Sequence, residues 1–414
     1  MKKDKTIRIL GIPLYKRTIK KGELKIHICG IRIKKTRLNP YELLSEGYYD
    51  LNYVPNFSYS ENKQKNILII KTDSIGDYVI MRNFWEEIRH SEKYKNAKIT
   101  LILSSAMKGV AEFLDEINIE KFFYVPHPFW KKSTQEKALV LSELFKQGLQ
   151  KHYDTILFPN LNRVNYEDFN ILVAQHISAN EKIISLGDID INNFDNMEKN
   201  YLFTQVISDY NSLLNFEFNS NKYFFEKACE HKIKLPIHHI DLPKKNNGCI
   251  VINPSSQEKM KMWHGNNWIE LIKKLIQKYH KEIVLIGSKE EFDTCHRIQK
   301  YVGEDFCSLA INRPFSEIIP LINNADLFIG NDSACFHISV SCKTKAICIA
   351  GGAGYQRFTN YPESPLYKVV LAPETKHYIE EHNISKEKMG LVGAVNSVTV
   401  TQVFETAKEL LTKS

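Results

Sequence analysis

The sequence predicts an α/β protein built from two doubly wound halves, each a parallel sheet covered by helices on both faces. From residue 66 onward, short apolar runs alternate with stretches whose apolar residues recur at helical spacing. The cycle restarts at Gly248, after a His/Lys-rich segment bracketed by Pro236 and Pro243. A chain of 414 residues is long enough for two such cores.

In the first half, 66–71 holds the apolar run Ile67–Ile70 and leads into Thr72. Residues 77–90 then carry apolar side chains at 78, 79, 81, 84, 85 and 88, a helical period. Further short strands are expected at 99–103, 122–125, 155–158 and 182–186. In the second half, strands are expected at 249–252, 282–286, 327–329 and 346–350, with helices at 267–279, 290–301 and 314–323. Apolar positions 400, 403, 404, 407, 410 and 411 form a closing amphipathic helix. The expected organisation is an arm at 1–37, a linker at 38–65, domains at 66–240 and 248–395, and the closing helix at 396–414.

The arm holds most of the charge. Residues 1–37 carry thirteen Lys/Arg against Asp4 and Glu23, a net +11, so the remaining chain is −3 within the total of +8. Such asymmetry points to an anionic partner, a membrane surface or a nucleic acid. The arm also contains an echo. Ile7–Leu14 precedes Lys16–Arg17, and Lys25–Ile33 precedes Lys34–Lys35, each unit alternating around a glycine. Two strands pairing as a basic β-hairpin are expected, with the turn at 20–23, one apolar face and basic edges; a solvated tail is the other reading. The eight cysteines form no C-x-x-C pair, and no apolar segment resembles a signal peptide or membrane span. Reduced thiols in a cytoplasmic protein, peripheral on the inner face of the membrane, are the expectation.

Ligands of open α/β sheets sit at the carboxyl ends of strands. That rule selects four places. In 71–77, Gly76 permits a tight turn after Ser74, and Asp77 opens a helix as either a cap or a general base. In 254–263, Ser255 and Ser256 begin a polar loop in which Lys259 and Lys261 could clamp a phosphate. At 287–291, Glu290 and Glu291 follow a strand tip, where a carboxylate meets a ribose hydroxyl or simply opens a helix. At 325–339, an apolar strand runs through Gly330 into Asn331, Asp332 and Ser333. If a helix begins at Ser333 or Ala334, its free N–H groups form an anion site, with His337 one turn on. Asp188 and Asp190 form a D-x-D pair that also suits a turn.

Together these stretches resemble glycosyltransferase family 9, the heptosyltransferases of lipopolysaccharide assembly, over about residues 66–360. The resemblance rests on 67–71 with 74–77, on 253–256 with 261–263 and Trp268, and above all on 325–333 with His337. It implies a GT-B-like fold, two facing Rossmann-like domains with acceptor on the first and nucleotide-sugar on the second. The closing helix would return to the first domain. It also implies Asp77 as catalytic base and Lys261 as the balance for the donor diphosphate. Asp332, Ser333, Ala334 and His337 would hold the donor phosphates, with Ser74 and Gly76 on the acceptor side. No metal and no cofactor are expected, and an ADP-sugar is the favoured co-substrate. Ala334 stands where the family usually has glycine, and 351–354 replaces a usual Gly-Pro pair, which leaves the sugar open.

The function expected is therefore inverting transfer of a sugar, heptose by default, to a lipopolysaccharide or related glycan, with residues 1–37 on anionic membrane. The alternatives are an inactive nucleotide-sugar-binding or scaffold protein and a nucleotide-sugar epimerase. Nucleic-acid binding is disfavoured, since the arm's one aromatic residue is Tyr15.

Overall fold

The computed structural model describes residues 5–9, 12–20, 23–28, 31–37, 44, 64–159, 167–186, 202–208, 216–237, 239–245, 248–352, 354–381 and 394–412. Asp188, Asp190 and most of the expected linker lie outside these residues.

Four strands, β1 (Lys5–Ile9), β2 (Ile12–Lys20), β3 (Glu23–Ile28) and β4 (Ile31–Arg37), make an antiparallel sheet in sequential order. The sequence suggested two strands. Each echo unit instead divides at its glycine, since Gly11 lies between β1 and β2, and Gly30 between β3 and β4. The turn expected at 20–23 is present, with Lys20 opposite Glu23.

The first parallel sheet contains β5 (Asn66–Lys71), β6 (Lys98–Ser104), β7 (Lys121–Val125), β8 (Tyr153–Phe158), β9 (Ala179–Leu186) and β10 (Gln205–Ser208), in the order β10-β9-β8-β5-β6-β7. The second contains β11 (Ile250–Asn253), β12 (Ile283–Gly287), β13 (Cys307–Ile311), β14 (Leu327–Asn331), β15 (Ala346–Ala350) and β16 (Tyr367–Leu371), in the order β13-β12-β11-β14-β15-β16. Every pairing within both sheets is parallel. Central strands β8, β11, β14 and β15 are buried along their whole length. Burial on both faces is why they read as apolar runs without alternation. Strand order reverses between β5 and β8, and between β11 and β14, the switch points at which such sheets open a crevice.

The helices are α1 (Ile75–Met81), α2 (Phe84–His90), α3 (Lys108–Asp115), α4 (Thr134–Leu144), α5 (Glu167–His176), α6 (Glu217–Cys229), α7 (Gly265–Tyr279), α8 (Phe292–Val302), α9 (Phe315–Asn323), α10 (Ala334–Ser341), α11 (Pro373–Glu381) and α12 (Val400–Thr412). The chain divides into two compact units. One is 1–73, 94–105 and 119–208; the other is 74–93, 106–118 and 209–414. The units thus interleave along the sequence, where consecutive domains at 66–240 and 248–395 were expected. Helices α1, α2 and α3 belong to the second unit, in which α1 packs on α10.

The second core is anchored by Trp263 and Trp268, whose rings meet edge-on at 5.0 Å. Val400, Val403, Ala407 and Leu410 of α12 are buried in this same core. The closing helix therefore packs on the second sheet and α7, where the sequence suggested a return to the first domain. Trp263 Nε1 donates to Val398 O at 2.8 Å and holds the entry to that helix.

Candidate active site at the head of helix α10

All thirteen site residues expected from the sequence fall in the second unit. Their frame is a set of hydrogen bonds tying three strand tips together. Asn331, at the end of β14, is fully buried. Its Nδ2 donates to Pro254 O at 2.8 Å, and its Oδ1 accepts from Trp263 N at 3.1 Å. One amide thereby pins both ends of the 254–263 loop. Asn253, ending β11, donates through Nδ2 to Ile286 O at 3.1 Å and accepts from Ser333 Oγ at 3.2 Å. Buried backbone groups need such partners, and asparagine supplies donor and acceptor at once.

Next in sequence, Asp332 accepts from Lys261 Nζ at 2.7 Å, with Glu258 3.9 Å from the same nitrogen. Burial works against the Lys261 charge, but the adjacent Asp332 carboxylate outweighs it and raises the ammonium pKa above its ordinary value. Lys261 closes a single 3₁₀ turn, Lys259–Lys261, in which Lys259 is exposed. Ser255 is buried, and its hydroxyl has no hydrogen-bond partner among the described residues. Ser256 Oγ accepts from Glu258 N at 3.5 Å. Ser333 is the N-cap of α10 in extended conformation, with Ala334 opening the helix, so the first N–H groups of α10 stand beside the Lys261–Asp332 pair.

Helix α1 meets α10 here. Ser74 is its N-cap, and Asp77 Oδ2 accepts from Ser74 N at 3.2 Å. The capping role that the sequence allowed for Asp77 is thus realised. Asp77 is also buried, 4% exposed, and its charge acts on His337. A Cβ added at Gly76 would stand 2.7 Å from Cδ2 of the His337 ring and 3.3 Å from its Nε2. Glycine at 76 is what lets the imidazole lie against α1. On its other side, His337 Nδ1 shares a 2.9 Å hydrogen bond with Tyr361 OH. Burial lowers the His337 pKa, against the opposing pull of Asp332 and Asp77.

Glu290 and Glu291 form a first acidic turn. Glu291 Oε2 accepts from Ser288 N at 2.6 Å in a capping box, and Glu290 is exposed. Glu291 still reaches the rim of the site. Burial and its charge push the Cys335 thiol, in the first turn of α10, up to about 12. Beside these acids, a pocket of about 530 Å³ opens at the ends of β12 and β13, lined by Phe292, Leu309 and Ile311 with polar Lys289, Asn312 and Arg313.

The structure thus gathers Gly76, Asp77, Lys261, Asp332, Ser333, Ala334 and His337, with Ser74, Ser255 and Ser256 flanking them. Residues that sequence reasoning missed are Asn331 and Asn253 as brackets and Tyr361 as the support of His337. An Asn at a strand end was a usable signal for the first two. Nothing local to Tyr361 distinguished it. Also unforeseen was Asp115, which accepts from Arg82 Nε and Nη2 at 2.9 and 2.8 Å and from Tyr78 OH at 2.7 Å, fastening α1 to α3.

Residues 195–389 match the model of Glycosyltransferase family 9 (heptosyltransferase). The chain is glycosyltransferase family 9-like. The matched region holds Lys261, Asp332, Ser333 and His337 and leaves Asp77 outside. Lipopolysaccharide heptosyltransferase 3 of Escherichia coli K12 is 28% identical over 108 residues, 26% of this chain and 31% of that protein. The match therefore spans under a third of that curated relative. Among solved structures, E. coli heptosyltransferase WaaC with ADP-2-deoxy-2-fluoro heptose superposes with a TM-score of 0.61 at 15% identity, covering 83% of this chain and 99% of that one. The family 9 glycosyl transferase of Veillonella parvula DSM 2008 gives 0.61 at 16%, covering 84% and 98%. E. coli ADP-heptose lps heptosyltransferase II gives 0.58 at 14%, with the same coverage. These likenesses show the fold, two parallel α/β sheets of the GT-B kind. Among the described residues, no helix is long and apolar enough to cross a membrane.

Proposed function

We propose that this protein is an inverting glycosyltransferase that moves a sugar from a nucleoside diphosphate to a hydroxyl of a lipopolysaccharide or related surface glycan, with ADP-heptose the default donor. The observation that carries the reading is the Lys261–Asp332 pair at the head of α10, with Asp77 and His337 beside it. Supporting the choice of donor, related structures hold ADP and an ADP-heptose analogue.

In this scheme, the acceptor hydroxyl attacks the anomeric carbon as the bond to the diphosphate breaks. Asp77 takes the hydroxyl proton. Negative charge grows on the departing diphosphate, and Lys261, Ser333 Oγ and the N–H groups of α10 meet it. Asp332 keeps Lys261 charged and in place. The buried Ser255 hydroxyl is a further donor toward the phosphates. The base enters the pocket beside Phe292 and Ile311, with Glu290 toward the ribose. Positive charge for the leaving group comes from Lys261 and backbone N–H groups, so the scheme calls for no metal.

Thermal unfolding with ADP, UDP, GDP and CMP, with and without magnesium, tests this first. Stabilisation by ADP alone, unchanged by magnesium and absent in Lys261→Ala, is expected. Stabilisation by UDP or GDP instead would move the donor to a hexose nucleotide. No stabilisation by any of them overturns the site.

A further inference from the structure

The segment that follows β15 bears on where His337 carries its hydrogen. Gly354, at φ +72°, opens a helical turn over Tyr355–Thr359. Arg357 in that turn donates through Nε to Glu217 Oε2 at 2.7 Å, and both side chains are buried. Glu217 opens α6, so the ion pair pins the turn to that helix. Two residues beyond the turn stands Tyr361. Its ring is wedged against Phe216 at 4.5 Å, Tyr367 at 5.5 Å and Phe336 at 5.7 Å. A ring fixed in this way keeps its hydroxyl at His337 Nδ1, 2.9 Å distant.

That bond could run in either sense, since a phenol and an imidazole can each donate or accept. The Tyr361 hydroxyl has no other hydrogen-bond partner among the described residues. Were Nδ1 the donor, the hydroxyl hydrogen would have nothing to meet. With Tyr361 the donor, both groups are satisfied. Burial, with Tyr367, Cys348 and Asp332 nearby, pushes the Tyr361 hydroxyl well above its ordinary pKa, so it keeps the hydrogen that it gives. The imidazole itself is neutral near pH 7. Burial has the largest effect and lowers its pKa, Lys261 adds to this, and Asp332, Asp77 and Glu217 oppose it.

We infer that Tyr361 is a positioning residue, which by donating to Nδ1 fixes the orientation of the His337 ring and leaves its hydrogen on Nε2. The Nε2 atom has no hydrogen-bond partner among the described residues, and its edge of the ring lies along α1 at Gly76, beside Asp77. An Nε2–H offers a hydrogen bond to an oxygen of the nucleoside diphosphate. The other tautomer would turn a lone pair toward that anion and repel it. Only this last step rests on the transfer reading.

The experiment is nitrogen-15 NMR of the full chain labelled at histidine, with long-range ring correlations that report which nitrogen carries hydrogen. The His337 signals are those lost in His337→Gln. At pH 8, wild type should show hydrogen on Nε2 and a bare, hydrogen-bonded Nδ1. Tyr361→Phe keeps the ring and deletes the hydroxyl, so the Nδ1 signal should move away from the bonded position. A packing role alone would leave it in place. Hydrogen on Nδ1 in wild type overturns the assignment, and so does an Nδ1 signal that Tyr361→Phe leaves unchanged. Saturating ADP should shift the wild-type Nε2–H signal, and calorimetry should find ADP bound about three- to tenfold more weakly by Tyr361→Phe, the worth of one hydrogen bond. ADP binding that moves neither the Nε2–H signal nor the affinity of Tyr361→Phe overturns the use of this hydrogen on the diphosphate. Failure of the transfer reading is seen separately, as no ADP binding by wild type, with the tautomer still read directly.

Discussion

The His337 ring lies so close to Gly76 that a Cβ added there would stand 2.7 Å from its Cδ2. Two motifs more than 250 residues apart in the chain therefore meet without space for a methyl group. Helix α1 brings Asp77, and α10 brings His337, with the Lys261–Asp332 pair beside its first turn. The glycine sets how closely they approach.

Gly76→Ala should accordingly cost stability. The imidazole cannot retreat freely, because Tyr361 holds its Nδ1 and packs beside it. Overpacking at such a site costs about 1–3 kcal/mol. Urea unfolding should show the loss, and Gly76→Ala/His337→Ala should recover part of it. If the double variant is no more stable than Gly76→Ala, the contact is not the cause.

His337 should make stability depend on pH. Burial lowers its folded pKa below the ordinary 6.5. The unfolded chain then takes up a proton before the folded one does. Its neutral form is therefore compatible with full stability above the ordinary value, and stability falls as pH drops through 6.5 toward the lower folded value. The stability difference between wild type and His337→Gln should shift against wild type over that window. A difference constant from pH 8 to pH 5 would rule the effect out.

Lys261 and Asp332 should couple strongly. Removing the lysine leaves a carboxylate that is 8% exposed without its 2.7 Å partner. Breaking a pair this buried costs up to about 3 kcal/mol, more than its net worth. Lys261→Met/Asp332→Leu should therefore be more stable than Lys261→Met alone. A double-mutant cycle by denaturant unfolding reads the coupling. Strict additivity would mean the pair is not energetically linked.

Much of this arrangement was legible in the sequence. Buried parallel strands write themselves as unbroken apolar runs, so β5, β11, β14 and β15 were evident, and their polar ends marked the site. Long-range geometry was less visible. Nothing in the 396–414 segment says which core its apolar stripe joins, since periodicity records a face and not its partner. The arm's glycines looked like interruptions within strands, whereas each separates two strands. Tyr361 was hidden because its role depends on a fold-level meeting with His337.

Asn331 offers a sharper test of the strand-tip brackets. Asn331→Ala would leave Pro254 O and Trp263 N without their partner, at about 1–3 kcal/mol for a buried site. Asn331→Asp keeps an acceptor for Trp263 N but sets a second oxygen against Pro254 O. It should be the worse of the two at neutral pH and recover on acidification, as the carboxyl gains a proton to donate. Unfolding midpoints at pH 5 and pH 8 distinguish this from simple loss of volume.

Asp77 has two tasks, and substitutions should separate them. Its Oδ2 caps α1 through Ser74 N at 3.2 Å, a bond that an asparagine amide oxygen can also accept. Only the carboxylate can take a proton from an acceptor hydroxyl. Asp77→Asn should therefore unfold close to wild type, whereas Asp77→Ala should lose roughly 1 kcal/mol with the cap. Both should lose sugar transfer by about 10²–10⁴-fold, the usual worth of a general base. Binding of ADP, measured by calorimetry, should survive in Asp77→Asn, because Lys261, Ser333 and the head of α10 are untouched. Retained transfer in Asp77→Asn would reduce Asp77 to a helix cap and require another base.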